Sequence, residues 1–121
     1  MTIPKFRAWD KVKAKMYNVE VISFINNKVY PVYTDTSHRY VPFNESVLMQ
    51  STGLFDEYGK EIFEGDIVLI YGEKISKVFY SQGSFCVDIL NGGTPLHGFS
   101  SKQLEVIGNV WENKEFLGEV K

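Results

Sequence analysis

The 121-residue sequence predicts a mainly β fold: a small barrel or strongly curled antiparallel sheet from Leu48 onward, with N-terminal strands packed on it and one or two short helical turns. Three observations predict it. After Asp66, short runs rich in β-branched and aromatic residues recur at regular spacing, separated by glycine-bearing turns. Across residues 84–90, Phe85, Val87 and Ile89 alternate with Ser84, Cys86 and Asp88, the two-residue period of a strand with one face inward. No apolar stripe of 3.6-residue period lasts beyond two turns, which argues against a helix bundle.

Taken in order, residues 3–10 set Phe6 and Ala8 against Lys5, Arg7 and Trp9, a strand with one buried face whose start Pro4 keeps at an edge. Residues 10–15 carry four charges and read as an exposed hairpin connection. A second strand follows over 19–25, Asn26 and Asn27 supply a turn, and 28–33 return, with Pro31 marking an edge or a bulge. From Thr34 to Ser46 the chain is polar and reads as a mobile loop.

The central hairpin spans 48–68. Asp56, Glu57, Tyr58 and Gly59 fit a type I turn closed by a glycine at positive φ, and Glu64-Gly65-Asp66 makes the next turn. Strand-like runs then cover 67–71, 75–80, 84–90 and, briefly, 96–99. Residues 100–104 read as a helical turn capped by a serine, 105–111 as the closing strand and 113–117 as a last helical turn. The expected organisation is one domain, with N-terminal strands and a variable loop over 1–47 and the barrel-like part over 48–121.

The net charge of −2 conceals an asymmetry. Residues 1–50 carry seven Lys and Arg against four Asp and Glu, a net +3, whereas residues 51–121 carry six against eleven, a net −5. Opposite charges on the two parts would steer self-association or a charged partner. Cys86 is the single cysteine, which excludes an internal disulfide and fits a reducing, cytoplasmic compartment. No apolar run approaches the roughly 18 residues of a membrane span, and the first residues lack a signal-peptide core, so no membrane association is expected.

Chemistry-bearing patterns are few. Asp56, Glu57, Glu61, Glu64 and Asp66 are five carboxylates in eleven residues, but they form no calcium loop and read as solvated turn residues. His38, His97 and Cys86 match no zinc spacing. No phosphate-binding glycine motif occurs. Neither an enzyme activity nor a cofactor or metal is expected.

Two surface roles remain. Lys5, Arg7, Lys11, Lys13 and Lys15, interleaved with Phe6, Trp9 and Tyr17, could hold phosphates and stack bases. Seven Tyr, nine Phe and two Trp are more than a domain of this size can bury fully, so some are expected at a surface, where an amphipathic ring suits a partner. Trp9, Tyr17, Tyr33, Tyr40 and Trp111 are the candidates.

Three blocks also carry a resemblance. They are Lys5-Phe6-Arg7-Ala8-Trp9-Asp10 with Lys15-Met16; Leu48-Met49-Gln50, Thr52-Gly53-Leu54, Asp56 and the run from Gly59 through Ile62-Phe63-Glu64-Gly65-Asp66-Ile67-Val68; and Val106-Ile107-Gly108-Asn109-Val110-Trp111-Glu112-Asn113. In this order they resemble the YopX family of small bacteriophage and prophage proteins, while 19–47 has no counterpart in the resemblance. It implies a phage or prophage origin, a place in the bacterial cytoplasm, a mostly β fold and self-assembly, and brings no catalytic or ligand-binding residues. The expected function is therefore a non-catalytic phage accessory protein, an oligomeric interaction module whose partners are its own copies and phage or host proteins. A weak nucleic-acid binder using the N-terminal basic and aromatic hairpin is the alternative.

Overall fold

Nearly every regular element is an antiparallel strand. A computed structural model describes residues 4–32, 39–89 and 93–118, which divide into two compact units, 1–50 and 51–121. The fold is mainly β as predicted, with short 3₁₀ turns, and among the described residues the strands close no barrel.

In the first unit, β1 (Phe6–Asp10) and β2 (Lys15–Ser23) form a hairpin, β3 (Lys28–Pro31) returns along β2, and β4 (Val41–Pro42) lies against β3. The opening half of β5 (Ser46–Phe55) pairs with the other edge of β1, giving the order β4-β3-β2-β1-β5. The predicted disturbance at Pro31 is a bulge: Val19 faces Pro31 and Val21 faces Tyr30, leaving Glu20 as the extra residue. Part of the segment read as a mobile loop is ordered structure, β4 and the 3₁₀ turn Phe43–Glu45; its residues 34–38, which include His38, lie outside the described residues together with Tyr33.

The second unit begins with a departure from regular pairing. Between Ser51↔Phe63 and Phe55↔Glu61 the ladder of β5 with β6 (Glu61–Phe63) slips, and side chains take over its hydrogen bonds. The Thr52 hydroxyl donates to the Ile62 carbonyl at 2.7 Å and accepts from the Leu54 N–H at 3.1 Å. Gly53, at φ +79, makes the slip sterically possible.

β7 (Asp66–Ile70) lies between β12 (Leu104–Asn109) and β8 (Lys74–Lys77), while β10 (Ser84–Asp88) lies between β9 (Phe79–Ser81) and β11 (Gly93–Pro95). The run read as one strand over 75–80 is thus two, broken at Val78. The Val78 N–H donates to the Asp66 carbonyl and its own carbonyl accepts from Gly65, both at 2.8 Å, so the chain changes sheets there. This corner explains the open architecture: two three-stranded sheets meet at a bend and at a bridge from the Asp88 N–H to the Ser76 hydroxyl, 2.8 Å, instead of sharing one closed ladder.

Ile62, Val68, Ile70, Val78, Val87, Leu96 and Leu104 form the core of this unit, with Leu54, Phe85, Ile89, Phe99 and Val106 packed against it. Phe85, Val87 and Ile89 face it as predicted, but Cys86 on the opposite face is buried too. The run 96–99 is not a strand: Leu96–Gly98 is a 3₁₀ turn that drops Leu96 into the core, and the strand lies just before it at β11. The two predicted C-terminal turns are present at Ser101–Gln103 and Lys114–Leu117. In the first, Gln103 Oε1 accepts the N–H of Ser100 at 2.9 Å.

Candidate functional site

The β1–β2 turn positions the basic residues of the first unit. Asp10 is buried, and its Oδ1 accepts the N–H of Val12 at 2.9 Å and of Lys13 at 3.0 Å. The Ala14 N–H donates to the Asp10 carbonyl at 2.8 Å, and Lys11 donates to the Glu45 carbonyl at 2.9 Å. The backbone is held from inside, so Lys11, Lys13 and Lys15 project into solvent.

Beside this turn an open cavity of about 280 Å³ is lined by Lys13, Arg39, Tyr40, Asp10, Glu45 and two valines. The Tyr40 ring packs on Tyr30 at 6.1 Å between centroids, and Lys28 Nζ sits 4.1 Å from the Tyr40 centroid. Lys13, Lys28 and Arg39 thus gather around one exposed aromatic ring, and the Asp10 charge is already engaged by turn N–H groups. Lys13 and Tyr40 were expected from sequence; Arg39 and Lys28 were missed. The adjacency of Arg39 to Tyr40 was the signal in reach, hidden in a segment read as loop.

Two candidates are corrected. Arg7 and Trp9 are buried, not presented to phosphate or partner. β1 is a central strand flanked by β2 and β5, and its side chains from Arg7 to Asp10 are buried on both faces, so alternation understated its burial. Lys5 is exposed but at the far end of β1 from the lysine turn. Tyr17 and Trp111 are half-buried, Trp111 in the second unit.

A further surface of the first unit is apolar. At the β2–β3 turn Phe24 is 75% and Ile25 94% exposed, with the Phe24 ring edge-on to Phe43 at 6.0 Å. Val21 pairs with Tyr30 and shares its face, Val32 follows two residues on, and both are exposed.

The acidic stretch of the second unit is structural at two of its five positions. Asp56 and Asp66 are buried, not solvated. Asp56 Oδ1 accepts from Tyr58 N at 2.9 Å and Lys60 N at 2.8 Å, its Oδ2 accepts from Val106 N at 2.9 Å, and Asp66 Oδ2 accepts from Phe63 N at 2.8 Å. Glu61 accepts from the Ser51 hydroxyl. Among the described residues no group of three or more His, Cys, Asp or Glu is placed to hold a metal ion. Cys86 is buried and His97 exposed. Glu57 and its neighbours Glu105 and Asp56 hold the phenol of Tyr58 above its ordinary pKa, chiefly through the Glu57 hydrogen bond and charge.

The division into units falls where the charge changes sign: +3 over 1–50 and −5 over 51–121. No helix of the described residues is long and apolar enough to cross a membrane.

Comparison with known proteins gives two results. The YopX protein family model matches residues 5–118. The crystal structure of protein EF1440 from Enterococcus faecalis is similar with a TM-score of 0.71 and 30% identity, over 97% of this chain and 99% of that one. No curated protein matches.

Proposed function

The chain belongs to the YopX protein family, and from that premise we propose that it is a non-catalytic interaction module of phage or prophage origin, working in the bacterial cytoplasm as a homo-oligomer. The observation that carries this is the separation of charge: two compact units of one chain bear net +3 and −5. Such a chain attracts its own copies, because the basic unit of one finds the acidic unit of another. The roles of Asp10, Asp56 and Asp66 in accepting backbone N–H groups support the absence of catalysis, since the least exposed carboxylates already serve the fold. The similar protein from Enterococcus faecalis supports a bacterial setting. Light scattering at several concentrations and ionic strengths tests the reading. Mass should rise with concentration at low salt and fall back as salt screens the contact; a monomer throughout overturns it.

One observation favours a second reading. Lys13, Lys28 and Arg39 around Tyr40 form a small basic and aromatic site suited to a single-stranded nucleic acid. A salt-sensitive mobility shift with single-stranded DNA, lost when Lys11, Lys13 and Lys15 become Ser, would favour it; no shift at low salt would remove it.

A further inference from the structure

We infer that the lysine turn between β1 and β2 of one copy docks into an acidic, aromatic-walled cavity on the second unit of another copy, an inference that rests on the self-association proposed above. The cavity measures about 350 Å³ and is lined by Leu69, Leu104, Tyr71, Glu57, Glu105 and Lys102, with a glycine and a glutamine between them.

Its shape follows from two hydrogen bonds. The Glu57 N–H donates to the Leu104 carbonyl at 3.0 Å, and the Tyr71 N–H donates to the Gln103 carbonyl at 2.9 Å. The 56–59 turn and the β7–β8 turn are thereby tied to adjacent residues of one short segment, and the cavity opens between them. Tyr71 is held at φ +55 in that second turn, where the Glu73 N–H donates to the Ile70 carbonyl at 3.1 Å. Its ring packs edge-on to Phe99 at 5.8 Å yet stays 60% exposed. Glu105 pairs with Leu69 across β12 and β7, so a carboxylate and an aliphatic side chain share the face the cavity opens on.

This lining matches one ligand chemistry, a flexible alkyl chain ending in a cation. Methylenes would lie along Leu69 and the Tyr71 ring, and the ammonium would meet Glu57 and Glu105. The negative potential there is also felt by Tyr58, whose ionisation Glu57 and Glu105 oppose; among the described residues Lys102 is the one cation of the lining. Lysine side chains are such ligands, and the chain presents three of them on a turn whose backbone is already fixed by Asp10. A preordered turn loses little freedom on docking. The contact joins different surfaces of the two copies, so it propagates head to tail into a ring or a filament.

Charge reversal tests this in the full-length chain by sedimentation equilibrium. One variant carries Glu57→Lys and Glu105→Lys, a second Lys11→Glu, Lys13→Glu and Lys15→Glu, and a third the milder Glu57→Gln and Glu105→Gln. Each should associate at least tenfold more weakly than the parent, the third least affected. Mixing the first two in equal amounts should restore assembly, because reversed turn meets reversed cavity; restored assembly also demonstrates that both are folded. Parent-like association of the reversed and glutamine variants overturns the inference while leaving self-association intact. A mixture of folded variants, judged by circular dichroism, that stays dissociated overturns it as well. A parent chain that never associates removes both this contact and the function proposed above.

Discussion

The Asp56 carboxylate accepts the backbone N–H of Val106, 50 residues further on, at 2.9 Å. The same carboxylate closes its own turn through Tyr58 and Lys60, so one buried side chain couples the central hairpin to the closing strand. The acceptor is placed where β12 needs it: the β7–β12 ladder slips between Val106 and Gly108. Replacing Asp56 with Ala leaves three N–H donors to find other partners. At about 1–3 kcal/mol for a buried donor left unsatisfied, and less for the donors of exposed Tyr58 and Lys60, which water can reach, a loss of roughly 3–5 kcal/mol is expected. Asp56→Asn, which keeps one acceptor oxygen, should cost about 1–2 kcal/mol. Urea unfolding midpoints check both.

Gly108 is required by a neighbour rather than by its dihedral angles. A Cβ added there would lie 2.6 Å from Asn113 Cγ and 2.9 Å from Asn113 Cβ. Asn113 cannot simply swing away, because its Oδ1 accepts the N–H of Asn109 at 3.1 Å and its own N–H donates to the Asn109 carbonyl at 2.9 Å. Gly108→Ala should therefore destabilise by about 1–3 kcal/mol. In a double-mutant cycle Asn113→Gly should recover part of that loss; strict additivity would show that the two residues do not meet.

What could be read from the chain was local. The turns at Asp56–Gly59 and Glu64–Asp66, the disturbance at Pro31 and the inward face of Val87 each follow from residues within a few positions, where glycine, proline and alternation speak directly. The break at Val78 has no such signal. Val78 sits in a continuous β-prone run, and its change of sheet is set by hydrogen bonds to Gly65 and Asp66, more than ten residues away. The candidate site divides in the same way. Lys13 and Tyr40 were legible as a cation and an aromatic, but the approach of Arg39 and Lys28 depends on how β4 lies against β3. Trp9 and Arg7 misled because alternation reports one face of a strand and is silent on what covers the other.

Ala14 closes the lysine turn at φ +55, a left-handed conformation that disfavours a side chain. A Cβ there costs about 1–2 kcal/mol, against roughly 0.5–1 kcal/mol of added unfolded-state entropy for glycine. Ala14→Gly should therefore raise stability by about 0.5–1 kcal/mol, read as a higher melting temperature. The turn keeps its shape and the lysines their charge, so association should be unchanged. A lower melting temperature would show that the Ala14 methyl makes contacts that outweigh its backbone strain.

Tyr58 offers a titration that reads the acidic cavity rim directly. The residue is 73% exposed, and its phenol is raised above the ordinary tyrosine value first by a hydrogen bond with Glu57, then by the charges of Glu57 and Glu105, with smaller effects of burial and Asp56. The sign follows from the charge of the product: ionisation creates a phenolate beside carboxylates, so the folded protein holds this proton to higher pH than the unfolded chain does. The associated stability is complete below the unfolded tyrosine value and is lost as pH rises through the folded one. In a pH series of its ring resonances, Tyr58 should ionise above the ordinary tyrosine value. Glu57→Gln removes the leading charge and the hydrogen bond to a carboxylate, and should bring Tyr58 down toward the ordinary tyrosine value, with a smaller shift for Glu105→Gln. If neither substitution moves Tyr58, the carboxylates do not act on its ring, and the negative potential ascribed to that rim is refuted.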